Sequence, residues 1–155
     1  MDLADIRDVA NWFINADDQQ ERSITRLKLQ RLCYYAQGYC LALLNRPMFN
    51  PVIDAKTHGV AIWCLDCQYR GFSSCTIPPI GNRQHELSEE EIDILKTVWE
   101  KYGKFSAWYL REDICKWYPW KHAMKNDLLV ISLKDMKKFF SDELGISQKE
   151  DDHNI

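Results

Sequence analysis

The chain has 155 residues, 46% of them hydrophobic and 28% charged, with a formal net charge of −3. That is the length of one domain and the make-up of an ordinary globular protein, which at this size buries about 68–70% of its unfolded surface in a single core. A pI near 5.8 and scattered basic residues argue against a dedicated nucleic-acid binder. No apolar run reaches the roughly 18 residues that a membrane span requires.

Ile6, Val9, Ala10 and Phe13 form the inward stripe of a first helix over 3–16. The acidic start MDLADIRD lacks the basic and apolar blocks of a secretory signal, so a cytoplasmic setting with six reduced cysteines is expected. A polar loop, Asp17 to Arg22, leads into Ile24–Leu44, ITRLKLQRLCYYAQGYCLALL. At 100° per residue, Leu29, Leu32, Cys33, Ala36, Tyr39, Cys40 and Leu43 make one apolar stripe. Leu27, Tyr34 and Leu41 make a second on nearly the opposite side, with Lys28, Gln30, Arg31 and Gln37 in the seams between them. Two apolar faces predict a helix running through the middle of the domain and ending near Asn45-Arg46-Pro47.

From Met48 to Thr57 the chain reads as extended, because Pro47 and Pro51 exclude regular helix. A short helix is expected after Gly59, ending by Gly71. Ser73 to Glu86 holds Pro78, Pro79 and Gly81 and reads as an irregular loop with room for a short strand. Ser88 and Glu91 then compose a capping box, with Leu87 and Ile92 as its staple, and Ile92, Leu95, Trp99 and Tyr102 form the buried stripe up to Gly103. A helix over 106–116 turns Ala107, Leu110, Ile114 and Cys115 inward. A short piece, Pro119 to Met124, starts on its proline. The last helix is capped by Ser132, with Asp135 in the third place and Ile131 and Met136 as staple. It buries Met136, Phe139, Phe140 and Leu144 and stops at Gly145. The cluster Lys134, Lys137 and Lys138 reads as its solvated face. The whole is an all-α domain over 1–146, about six helices around a central buried one with at most short strands. An acidic tail at 147–155, SQKEDDHNI, reads as disordered.

Chemistry finds little footing. Cys64, Cys67 and Cys75 with His58 have the ligand types of a tetrahedral zinc site. A helical segment with two cysteines on one face explains the first pair better, and a second metal-binding pair is missing. None of His58, His85, His122 and His153 stands in a nucleophile motif, and the six glycines never cluster into a phosphate-binding loop. No catalytic residue and no cofactor is expected. Six Trp, seven Tyr and six Phe exceed what a core this size needs. The densest stretch is Trp108-Tyr109 with Trp117-Tyr118-Pro119-Trp120. Trp108 and Trp120 read as core, while Trp117 and Tyr118, with Trp120 and Lys121 beside them, are the candidates for a partner surface.

L-K-L-Q-R-L-C-Y-Y-A-Q-G-Y, Leu27 to Tyr39, resembles the signature helix of the Panacea family, small bacterial and phage-associated domains best known as antitoxins. Val9-Ala10-Asn11-Trp12-Phe13, His58-Gly59-Val60, Leu87-Ser88-Glu89-Glu90-Glu91, Trp99-Glu100-Lys101-Tyr102-Gly103, Ser106-Ala107-Trp108 and Pro119-Trp120-Lys121 agree in order, over roughly 6–141. The signature positions are Leu27, Lys28, Leu29, Gln30, Tyr34, Tyr35, Ala36, Gln37, Gly38, Gly59, Pro119 and Trp120. The resemblance implies a non-enzymatic module that neutralises a cognate toxin, encoded next door, by direct contact. It also implies an AAA+ protease as a further partner. The alternatives are a phage-encoded interaction protein with a host target and, less favoured, a zinc or thiol protein using Cys64, Cys67 and Cys75. The chain departs from the family where Gly59-Val60-Ala61 replaces Gly-Pro-Val, expected at a helix start, and where Ile114-Cys115 replaces Thr-His.

Overall fold

The computed structural model describes residues 3–17, 21–79 and 86–146. Its elements are α1 (Ile6–Ala16), α2 (Arg26–Leu44), β1 (Asp54–Lys56), β2 (Gly59–Ala61), α3 (Trp63–Gln68), a 3-10 turn (Arg70–Phe72), α4 (Glu89–Tyr102), α5 (Ala107–Cys115), α6 (Tyr118–Lys125) and α7 (Leu133–Leu144). Helices dominate, as expected, and β1 and β2 form one small antiparallel hairpin. The 147–155 tail and His85 lie outside the described residues.

Helix α2 is the axis. Thr25 caps it, its hydroxyl accepting from the Lys28 amide, and Asn45 ends it in a left-handed turn (φ 57°). Every residue from Lys28 to Ala42 is buried, and α1, α3, α4, α5, α7 and β2 all pack on it. The two-faced pattern therefore understates the burial. Its outermost members are the exceptions: Leu27 and Leu43, at the two ends, are 47% and 48% exposed.

The seam residues are buried with the stripes, and each ties α2 to a different segment. Lys28 Nζ donates to the Gly103 carbonyl (2.6 Å) and to Ser23 Oγ (3.0 Å). The Gln30 amide accepts from Ile62 N (2.8 Å) and donates to Asp66 Oδ1 (3.0 Å). The Arg31 guanidinium donates to the carbonyls of Ala107 (2.6 Å) and His58 (3.1 Å). Gln37 Oε1 accepts from Met48 N (2.7 Å) and Phe49 N (3.3 Å), while its Nε2 donates to the Phe49 carbonyl (3.0 Å). Polar side chains can be buried here because each meets backbone groups that would otherwise be orphaned.

The capping box at α4 and the serine cap at α7 form as read. Ser88 Oγ accepts from Glu91 N while Glu91 Oε1 accepts from Ser88 N, and Ser132 caps α7 with Asp135 in the third place. The inward stripes shift by a residue or so. On α4 the fully buried set is Glu91, Ile94, Leu95, Val98 and Tyr102, with Ile92 and Trp99 half-buried. On α7 it is Met136, Lys137, Phe140 and Ser141, with Phe139 and Leu144 packed half-buried at the edge. On α5, Leu110 and Ile114 face inward and Cys115 is half-buried. Gly59 starts strand β2, at φ 125°, rather than a helix. Proline, with φ fixed near −65°, one residue later would suit a helix start; Val60 suits the strand found there.

Candidate functional site

The signature residues mostly build the fold. Beyond the ties of Lys28, Gln30 and Gln37, Gly38 lets α7 approach: a Cβ there would stand 2.1 Å from a Phe140 ring carbon. Tyr34 meets the Phe140 ring edge-on at 5.8 Å. Pro119 is buried in the first turn of α6. Trp120 is half-buried, and its indole N–H lies 2.8 Å from the Lys56 carbonyl and 3.0 Å from that of Gly59, closing the β1–β2 turn.

The four candidate partner residues are thus not one patch. Trp120 is turned to the hairpin. Trp117, 39% exposed, is turned to α7, its ring 5.6 Å from Phe139. Tyr118 remains outward, 52% exposed, stacked at 5.0 Å on His122, whose Nδ1 lies 2.6 Å from Asp135 Oδ2. Lys121 is exposed. Trp108 corrects the reading as core: it is 64% exposed, with the Arg111 guanidinium 4.8 Å from its ring centre. Successive helical residues 108 and 109 both point away from the Leu110–Ile114 stripe, leaving Tyr109 48% exposed as well.

Between these aromatic residues and the core lies a cleft of about 340 Å³, within the size range of ligand pockets. Its floor is Tyr35, Tyr39, Tyr102 and Phe140. One wall is the stacked pair Phe105 and Tyr109 (4.0 Å), the other Trp117 and Phe139. Two carboxylates, Asp113 and Glu143, and two ammonium groups, Lys101 and Lys104, complete the lining. Tyr35 stacks on Tyr102 at 3.9 Å and donates its hydroxyl to Asp113 Oδ2 at 2.5 Å. Burial, then the hydrogen bond to Asp113, pushes the Tyr35 phenol far up; burial and a hydrogen bond with Tyr39 do the same to Tyr102. Both phenols, neutral at pH 7 even without a shift, resist ionisation on the alkaline side. Sequence reasoning missed this site: its density of rings was visible at 108–120, but Tyr35 and Asp113 meet across 78 positions.

The thiols are placed differently. Cys64 and Cys67 lie on α3 and Cys75 follows the 3-10 turn, all three exposed, with His58 exposed at the hairpin tip. Burial raises the Cys64 thiol above its ordinary value, which opposes thiolate chemistry. Among the described residues no group of three or more His, Cys, Asp or Glu side chains is disposed to hold a metal ion. Nor is any helix among them long and apolar enough to cross a membrane. Cys115 lies half-buried in the electrostatic reach of Arg31 and Arg111.

A family model described as "Antitoxin SocA-like, Panacea domain" matches residues 29–121, from the second turn of α2 into α6. That is more than half of the chain, though shorter than the 6–141 expected from the motifs. No curated protein and no solved structure matches the chain.

Proposed function

The chain belongs to the SocA-like antitoxins of the Panacea domain family, and from that membership we propose that it neutralises a toxin by direct contact, with no chemistry of its own. The family match carries this reading and supports an antitoxin-type function, which implies a toxin as partner. The fold supplies a suitable surface. Trp108, Tyr109, Trp117 and Tyr118, all on or beside α5 and α6, expose large rings of the kind that dominates interface affinity. Neutralisation of this kind needs only that the bound surface cover the toxin's active site.

The test is co-expression with the product of the neighbouring reading frame. That product should arrest growth alone, and this chain should restore it. In the same assay Trp108→Ala and Tyr118→Ala should weaken the complex by about tenfold or more, since interface anchors lose over 1.4 kcal/mol on truncation, while leaving the fold intact. Continued arrest in the presence of soluble wild-type chain would overturn the reading. Delivery of the bound toxin to an AAA+ protease is its finer form. Deleting residues 147–155 should then lengthen the toxin's lifetime in a pulse-chase without weakening the complex.

A further inference from the structure

We infer that the cleft among α2, α4, α5 and α7 receives a positively charged side chain of the partner, best an arginine. This deepens the binding-module reading and rests on it. The cleft's own charges cancel: Lys101 and Lys104 stand against Asp113 and Glu143. The rings therefore decide the sign. An aromatic face is electron-rich and attracts cations, and eight of the twelve lining residues are aromatic. Three of the chain's own ammonium groups lie over these rings, each from the residue preceding the ring in sequence. Lys101 sits 5.3 Å from the Tyr102 ring centre, Lys104 5.3 Å from that of Phe105 and Lys116 5.2 Å from that of Trp117.

The carboxylates have capacity to spare. Asp113 is held by the Tyr35 hydroxyl at Oδ2, but at Oδ1 its cation is Lys116 at 3.8 Å, beyond hydrogen-bonding reach. Lys116 is itself 60% exposed, so displacing it costs little. Glu143 is exposed and makes no ion pair among the described residues. A guanidinium entering between the Tyr109 and Trp117 walls would stack on a ring and donate to Asp113 or Glu143. Its planar fork suits both contacts, where a lysine ammonium offers only a point charge. An anion would find Lys101 and Lys104 but would also meet the two carboxylates and the ring faces.

N-acetyl-argininamide is the probe, titrated into the intact chain and followed by nuclear magnetic resonance at the Trp117 indole and the Tyr109 amide. A fragment of this size should bind with a dissociation constant of about millimolar, saturably, with shifts confined to the cleft. Asp113→Asn, which keeps an acceptor for Tyr35, should weaken binding about fivefold, and Lys116→Ala, which removes the competing cation, should tighten it. Glu143→Gln, on an exposed side chain, carries the same comparison if Asp113→Asn fails to fold. Absence of saturation, or equal binding of N-acetyl-glutamate amide, overturns the assignment. The titration contains no toxin, so its failure leaves the antitoxin reading to growth rescue, and failed rescue leaves the cleft chemistry standing.

Discussion

Gln37 shows at the residue scale why this helix tolerates polar groups in its interior. Its single amide satisfies two backbone N–H groups and one carbonyl at Met48 and Phe49, all in a buried turn. Leucine is of similar size and more apolar, so transfer energetics alone would favour it. The unmade bonds decide otherwise: each orphaned buried polar group costs about 1–3 kcal/mol, and three would be orphaned. Gln37→Leu should destabilise the domain by about 3 kcal/mol or more, read as a lowered urea midpoint with unchanged slope. A loss under about 1 kcal/mol would mean that the turn finds other partners. Trp120 follows the same logic through its two carbonyl acceptors, whereas Trp108, with its ring in solvent, matters to the fold far less.

Among the elements, the contact of α2 with α7 sets two effects in opposition at Gly38. Alanine in a mid-helix position is favoured over glycine by about 1 kcal/mol. Yet the added methyl would stand 2.1 Å from the Phe140 ring, and overpacking costs about 1–3 kcal/mol, more when the neighbour cannot yield. Phe140 is wedged against Tyr34, Tyr35 and Tyr39, so it cannot yield. Packing wins, and Gly38→Ala should lower stability by about 2 kcal/mol net, with Phe140→Leu in the same chain recovering part of the loss. A stabilised Gly38→Ala would contradict the close approach. The helix boundaries, by contrast, were legible, because capping is local: Ser88 with Glu91 and Ser132 with Asp135 declare two starts within four residues. The inward faces slipped because Glu91 and Lys137 are buried charges. Glu91 is accommodated by Arg46, 3.2 Å away yet 45 positions distant in the chain, and no periodicity reveals such a partner. The seams of α2 were read as boundaries between faces for the same reason.

In the whole molecule, the aromatic excess is divided between an outward surface and a cleft that four helices assemble, so composition revealed its existence and only the fold its address. The same assembly buries an unusual set of weak acids whose alkaline ionisation is opposed. Burial raises the thiols of Cys33 and Cys40, the latter to about 12, and the phenols of Tyr34, Tyr35 and Tyr102. In the unfolded chain the thiols ionise near 9.0 and the phenols near 10.0. Above those values the unfolded state has shed protons that the folded state still holds, so stability present below pH 9 is lost as pH rises. Lys28 acts oppositely, because burial lowers its ammonium from 10.5, and rising pH relieves the penalty of charging it. The partly buried thiols of Cys64 and Cys115 add to the fall, and the Arg31 guanidinium, lowered from 12.5, acts with Lys28 only at more alkaline pH, so the net effect is a loss. Each group contributes up to about 1.4 kcal/mol per pH unit, so urea midpoints should hold to pH 9, decline to pH 10 and drop steeply beyond. Replacing Cys33 and Cys40 with alanine should flatten the pH 9 to 10 segment and leave the steeper phenol-driven fall in place. A midpoint that stayed level to pH 11 would place these five side chains in water rather than in the core.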